Sequence, residues 1–272
     1  MQKRLRITAR DNEKLKLARR IRDGKEPEEF VLVEGIRLCE DVLAAGISIK
    51  MVFVDPAIAN EKRIDSLLKW LDKKGVMIIE VGEKLLRTIS DTANPQGIAM
   101  IAERRKFSSE SVSPEDLLAA PAPAFYFYGV NNPLNIGAAI RSAAAAGSPA
   151  IFISPNGCNA FSSKSNRAAM GANFRIPVFE NFQISDALKI CTESGCKTAA
   201  AVLNAEVGYT EIDWRSVGMV VFGSEAHGLD KDFLKQIPLR FTIPMLNGVE
   251  SLNLAVTAGV VAFEARRQRK IA

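Results

Sequence analysis

Strand-length apolar runs alternate with helix-length stretches along most of this 272-residue chain, and no other feature constrains its fold as much. The first series has runs at Phe30–Val33, Ile49–Val54, Val76–Val81 and Gly97–Ala102, separated by helical stretches at Gly35–Ala45, Glu61–Lys74 and Glu83–Ser90. A second series follows at Phe125–Val130, Ile151–Ser154, Ile176–Phe179, Thr198–Val202, Met219–Phe222 and Leu239–Ile243. Its helices are expected at Asn135–Ala146, at Ser185–Ser194, briefly after Asp230, and from Asn253 to Lys270. Runs that are apolar throughout suit strands buried on both faces, so the second series predicts a parallel sheet covered by helices. Between the two, residues 105–123 turn to serine, proline and acidic residues, the composition of a linker, with one helical turn expected near Pro114–Leu118. The chain therefore divides into a small α/β domain at 1–104, a linker at 105–123 and a larger α/β domain at 124–272.

Composition removes several function classes. With 47% apolar and 25% charged residues the balance is that of a soluble globular protein. No apolar run approaches the ~20 residues of a membrane helix, and the first residues lack the apolar core of a secretory signal. Cys39, Cys158, Cys191 and Cys196 show neither C-x-x-C spacing nor histidine partners, which reads as reduced thiols and a cytoplasmic setting, not as disulfides or zinc ligands. The single histidine, His227, sits in a glycine-bracketed turn. A histidine-built metal site is excluded, no metal is expected, and histidine acid–base catalysis has little to work with.

Charge is concentrated at the start. Residues 1–25 carry ten Lys/Arg against three Asp/Glu, although the whole chain is only +5. This basic, partly helical arm, with Arg10, Lys14 and Arg19, is either a solvated helix face or a contact for nucleic-acid phosphates. Counterion release favours the second reading, because it rewards clustered cations.

Three stretches carry chemistry. Asn131-Asn-Pro-Leu-Asn-Ile-Gly-Ala-Ala-Ile-Arg141 leaves a strand and enters a helix; Val220-Val-Phe-Gly-Ser-Glu-Ala-His-Gly-Leu229 runs from a buried strand into a turn that carries Glu225. Phe241-Thr-Ile-Pro-Met-Leu-Asn-Gly-Val-Glu-Ser-Leu-Asn-Leu-Ala255 leaves a strand stopped by Pro244, loops, and opens an apolar helix for which Ser251 is a suitable cap. The dinucleotide fingerprint G-x-G-x-x-G is missing after the first strand of this domain, and no GKS or GKT phosphate loop exists, so ordinary nucleotide sites are unsupported.

Together these stretches resemble the three signature motifs of the SpoU (TrmH-like) family of SPOUT-class RNA methyltransferases. N-x-G-x-x-x-R is matched by Asn135, Gly137 and Arg141; G-x-E-x-x-G by Gly223, Glu225 and Gly228; I-P-M followed by S-L-N by Ile243, Pro244, Met245 and Ser251, Leu252, Asn253. The resemblance implies a C-terminal parallel-sheet domain with a deep trefoil knot, binding S-adenosylmethionine (S-adenosyl-L-methionine) through Gly223, Ile243, Met245 and Leu252. It also implies 2′-O-ribose methylation with Arg141 engaging the hydroxyl, and pairing into a homodimer through the C-terminal domain. Glu225 would fix Arg141 or the loop, while Asn135, Ser251 and Asn253 would orient ribose, phosphate or Arg141. The N-terminal domain is similar to the small RNA-binding domain that precedes many SpoU catalytic domains. Arg37 is an expected RNA contact there, and Glu34 either caps the next helix or positions RNA. One departure stands at Ala168-Ala169-Met170-Gly171-Ala172, where many relatives have serine. Ribosomal RNA is the expected substrate. A tRNA methyltransferase and a non-catalytic RNA-binding or assembly factor on the same fold are the rival readings.

Overall fold

The computed structural model describes residues 4–25, 29–107, 112–237 and 239–269. The chain forms two compact units, Met1–Lys106 together with Phe161–Phe174, and Phe107–Ala160 together with Arg175–Ala272.

The first unit is built on a five-stranded sheet, with β1 (Leu5–Ile7), β2 (Phe30–Glu34), β3 (Ile49–Val54), β4 (Met77–Val81) and β5 (Ile98–Glu103) in the order β1-β4-β3-β5-β2. β1, β4 and β3 run parallel, and β5 runs antiparallel to both β3 and β2. Its helices are α1 (Glu13–Arg22), α2 (Ile36–Ala44), α3 (Lys62–Lys73) and α4 (Glu83–Ile89). The basic arm is thus a folded part of this unit. Leu15 and Ala18 of α1 are fully buried and share one core with Ile7, Phe53, Ile79 and Leu86. α1 begins at Glu13 because the Asn12 side chain accepts the Lys14 N–H at 3.0 Å and so caps the first turn.

The second unit begins with α5 (Pro114–Ala119), a short helix set by a reciprocal capping box between Ser113 and Asp116. Then come β6 (Ala124–Tyr128), α6 (Pro133–Ala146) and β7 (Ile151–Ile153). From there the chain contributes α7 (Ser163–Ala169) and a 3-10 turn at Ala172–Phe174 to the first unit. In that unit Arg104 lies over the Phe161 ring at 4.3 Å and Arg167 pairs with Asp91 at 3.3 Å. The second unit resumes with β8 (Val178–Phe179), α8 (Ile184–Glu193), β9 (Lys197–Ala201), β10 (Val217–Gly223), α9 (Lys231–Lys235), β11 (Leu239–Phe241) and α10 (Leu254–Arg269). Lys270, expected to end the last helix, lies outside the described residues.

Its six strands form a wholly parallel sheet in the order β11-β9-β10-β6-β7-β8. The centre is aromatic. Phe222 of β10 meets Phe125 and Phe127 of β6 at ring distances of 5.2 and 5.5 Å. Burying each such ring contributes about 1.5–3 kcal/mol, and the cluster locks together the two strands whose carboxyl ends, Gly223 and Tyr128, stand paired. α10 packs on α6 through small residues, with Gly259 against Ser142, and Arg266 donates to the Ala145 carbonyl at 3.1 Å.

Candidate functional site

Ligand sites of parallel α/β sheets lie beyond the carboxyl ends of the strands. Here that end of β9, β10 and β11 opens into a cleft of about 500 Å³. Gly223, Ile243, Met245 and Leu252, the four residues assigned to the cofactor from sequence, all line it, as do Glu225 and Ser251.

The wall from β10 explains its own spacing. Gly228 adopts a left-handed φ of 63°, its N–H returns to the Ser224 carbonyl at 2.8 Å, and the chain folds back over Gly223. A Cβ on Gly223 would stand 2.3 Å from the Gly228 carbonyl carbon, so only glycine fits. Glu225 is thereby held at the tip of the turn, exposed. His227 is exposed in the same turn, and its backbone N–H donates to Ser224 Oγ at 3.2 Å. At the neighbouring end of β6, Tyr128 donates to Asp230 Oδ2 at 3.4 Å and stacks on Phe233. Burial and then the Asp230 carboxylate push the Tyr128 phenol above its ordinary range, so it stays a neutral donor.

The wall from β11 is pinned before it loops. Thr242 donates its N–H to Val207 O at 3.0 Å and its hydroxyl to Leu203 O at 2.7 Å. Pro244 then offers no donor, and Asn247 and Gly248, both at positive φ (56° and 73°), turn the chain back toward α10. The helix cap is Asn253 and not Ser251: Asn253 Oδ1 accepts the Ala255 N–H at 2.9 Å, whereas Ser251 is exposed and no hydrogen-bond partner holds its hydroxyl among the described residues. The shift of two residues leaves Ser251 facing the cleft.

Capping fixes the orientation of the Asn253 amide, and a relay follows. With its oxygen committed to the helix, Asn253 donates through Nδ2 to Asn135 Oδ1 at 2.9 Å. Asn135 in turn donates through Nδ2 to Glu225 Oε1. The three motifs, 118 and 90 residues apart in these pairings, are therefore joined by one chain of hydrogen bonds at the edge of the cleft. The first motif is placed by its own cap: Asn132 Oδ1 accepts the Leu134 N–H at 3.0 Å, and Pro133 supplies the first helical residue.

Glu225 thus engages Asn135, not Arg141. Arg141 lies six residues further along α6, about 9 Å at 1.5 Å per residue. It is exposed, and among the described residues no hydrogen bond or ion pair holds its guanidinium.

The first unit separates its cations. Arg10 and Arg37 are exposed and Lys14 is half-exposed. Arg19, grouped with them from sequence, instead braces the fold, donating to Thr88 Oγ1 at 3.2 Å and to Arg10 O at 2.9 Å. Glu34 does not cap α2. It accepts from the hydroxyls of Ser90 and Thr92 and from the Asp91 N–H, while Gln96 Oε1 takes the Ile36 N–H at 3.2 Å.

Arg269 stands in the last turn of α10. Partly buried, it donates to the carbonyls of Leu117, Ala120, Trp214 and Val217 and so clamps the end of α10. Its density of carbonyl partners has no local sequence signal. Among the described residues, no three acidic, cysteine or histidine side chains gather as a metal site would require. No helix among them is long and apolar enough to cross a membrane.

Residues 123–263 match the model of the SpoU rRNA methylase family, and residues 32–108 match that of the RNA 2′-O ribose methyltransferase substrate-binding domain. The 23S rRNA (guanosine(2553)-2′-O)-methyltransferase RlmP of Bacillus subtilis is 28% identical over 262 residues, covering 96% of this chain and 98% of that one. The crystal structure of an S-adenosylmethionine-bound rRNA methyltransferase from Sinorhizobium meliloti superposes with a TM-score of 0.83 at 28% identity, over 96% of this chain and 97% of that one. A crystal structure of an RNA 2′-O ribose methyltransferase gives 0.80 at 27% identity, over 97% and 99%. The fold is that of SPOUT methyltransferases with an N-terminal substrate-binding domain. The chain belongs to the SpoU rRNA methylase family.

Proposed function

We propose that this protein transfers a methyl group from S-adenosylmethionine to a ribose 2′-hydroxyl of ribosomal RNA. The observation that carries the reading is the relay Asn253–Asn135–Glu225, which joins the three motifs at the edge of the cleft and leaves Arg141 uncommitted. The cleft suits the cofactor. Its Gly223 wall is a turn so tight that a Cβ would strike the Gly228 backbone, and the residues around it come from the carboxyl ends of parallel strands and the loops that follow them. Gly223, Ile243, Met245 and Leu252 would hold the cofactor there. Bound S-adenosylmethionine supplies an electrophilic methyl on a sulfonium that is already a good leaving group.

The protein's own residues do the rest. Arg141 orients the ribose hydroxyl and stabilises the oxygen as it gains negative charge. An arginine remains a cation in proteins, so this role is electrostatic and not that of a general base. Glu225 and Asn135 fix the first turn of α6, and with it the helix that carries Arg141. Asn253 locks the same turn from the other side, and Ser251, with its free hydroxyl in the cleft, orients ribose or phosphate. Arg10, Lys14 and Arg37 contact RNA phosphates.

Ribosomal RNA is favoured over tRNA because the match to the substrate-binding model accompanies full-length similarity to an enzyme named for 23S rRNA. Two further parts belong to this reading. Leu134 of α6 with Val256 and Phe263 of α10 are about half exposed on two helices that pack together, which suits a homodimer interface. The setting is cytoplasmic.

The test is single-turnover methylation of ribosomal RNA by the full chain, with the cofactor titrated separately in the absence of RNA and metal. Arg141→Ala should lower the rate by about 10²–10³-fold or more and leave cofactor affinity within a few-fold. Wild-type methylation by that variant would overturn the mechanism; no cofactor binding at millimolar concentration would overturn the assignment of the cleft.

A further inference from the structure

At the opposite end of the same sheet, two cysteines face each other across a helix terminus. α8 closes through a left-handed glycine, Gly195 (φ 64°), and the Cys196 N–H returns to the Cys191 carbonyl at 3.0 Å. This is the six-to-one bond of a Schellman closure, which ordinarily brings the side chains at its two ends into apolar contact. Here both are thiols. The Cys196 S–H also points back to the same residue, donating to the Cys191 carbonyl oxygen at 3.4 Å.

The seat of Cys196 is specific. Gly218 of β10 lies beneath it, and a Cβ there would come within 2.2 Å of Cys196 Sγ. Arg269 adds a nearby cation. The neighbouring Cys191 side chain, then the adjacent Gly218 backbone, with the charge of Arg269, hold the Cys196 thiol below the ordinary thiol range. Cys191, buried, sits above it. One sulfur is thus biased toward thiolate and partly exposed, while its partner is a buried thiol beside it.

We propose that Cys191 and Cys196 are a redox-active dithiol, oxidised by a hydroperoxide to an intramolecular disulfide. The Cys196 thiolate attacks the peroxide oxygen, the O–O bond breaks, and with one proton the products are a Cys196 sulfenic acid and water or alcohol. Cys191 sulfur then displaces the hydroxyl from Cys196 sulfur; the thiol proton leaves with that hydroxyl as water, and the S–S bond forms. Peroxide is reduced by two electrons and the thiol pair oxidised by two. Cys39 is buried outright and Cys158 lacks a second thiol, so neither follows this course.

The pair lies at the amino ends of β9 and β10, away from the cleft at their carboxyl ends. The full-length protein is treated with hydrogen peroxide, alkylated and digested with trypsin, which cuts after Lys189 and Lys197 and leaves both cysteines in one peptide. That peptide should become lighter by two hydrogen atoms and regain its mass on reduction, and Cys191→Ser should instead leave a sulfenic acid on Cys196 that a dimedone-type reagent traps. Cys191→Ser that cannot be purified folded does not remove the test, because the mass change in wild-type protein decides it. Unchanged alkylation of both thiols, direct passage of Cys196 to sulfinic acid, or disulfides joining two chains would each overturn the proposal.

Discussion

Glu34 and Glu225 occupy similar places in sequence, each at a strand exit with a glycine one or two residues away, yet the two units use them in opposite ways. Glu34 spends both oxygens on its own unit, on two hydroxyls and one N–H of the Ser90–Thr92 segment. Glu225 stands at the tip of a turn with a single partner, Asn135, and otherwise faces open cleft. A carboxylate saturated by its own loop is a brace. One left partly unsatisfied over a cleft is available for chemistry, and the difference lies in partners distant in sequence, not in the local motif.

Substitution should separate the two. Glu225→Ala is expected to reduce single-turnover methylation by about 10²–10³-fold while changing stability by no more than about 0.5 kcal/mol, because the Asn135 amide it abandons can turn to water. Glu225→Gln keeps an acceptor for Asn135 and should recover part of the rate. Glu34→Ala should do the reverse, costing about 2 kcal/mol of stability through its lost hydrogen bonds, with the rate at saturating RNA within a few-fold of wild type. Thermal denaturation beside rapid-quench kinetics reads both. Equal rate losses in the two alanine variants would erase the distinction.

The glycines sharpen the same contrast at smaller scale. At Gly223 a methyl group meets backbone, the Gly228 carbonyl carbon at 2.3 Å, and nothing there can move aside without unfolding the turn. Gly223→Ala should cost about 2–3 kcal/mol and weaken cofactor binding at least tenfold. At Gly35 the methyl meets only the end of the Gln96 side chain, at 2.8 Å, and the cost comes from a φ of 91°. Gly35→Ala should cost about 1–2 kcal/mol with cofactor affinity unchanged. Calorimetric titration and melting curves decide between them, and a cofactor-binding defect at Gly35 would break the comparison.

Much of the fold was legible because parallel strands write themselves as unbroken apolar runs: Ile49–Val54 matches β3 to the residue, and most other strands fall within one or two. β1 escaped because three residues, with Arg4 and Arg6 around Leu5, are too short a pattern to rise above a basic stretch. The three motifs were legible as motifs. Their wiring was not, since Asn135 finds Glu225 and Asn253 only across 90 and 118 residues, and the cap expected at Ser251 falls instead on Asn253, whose amide serves both helix and relay. Nor does composition mark Phe161–Phe174 as part of the first unit, where the closeness of Gly171 to Asp41 Cβ, 2.9 Å from an ideal Cβ, is a matter of packing alone.

The smallest effect concerns the basic arm and Arg37 of α2, where the structure divides what sequence had grouped. Arg10, Lys14 and Arg37 leave their charges open to solvent, while Arg19 is occupied with Thr88 and the Arg10 carbonyl. Each cation that neutralises an RNA phosphate contributes about 0.7–0.9 to the slope of log affinity against log salt. Alanine at Arg10, Lys14 or Arg37 in the full chain should therefore flatten that slope by roughly that amount each, with no change in melting temperature. Arg19→Ala should lower stability by about 1 kcal/mol through its lost hydrogen bonds and leave the slope where it was. Filter binding at several salt concentrations, on variants shown to be folded, measures the difference. If Arg19→Ala flattens the slope as much as the other three, the guanidinium leaves Thr88 to meet RNA; if none of the four does, the arm is a solvated helix face and the phosphates are held elsewhere.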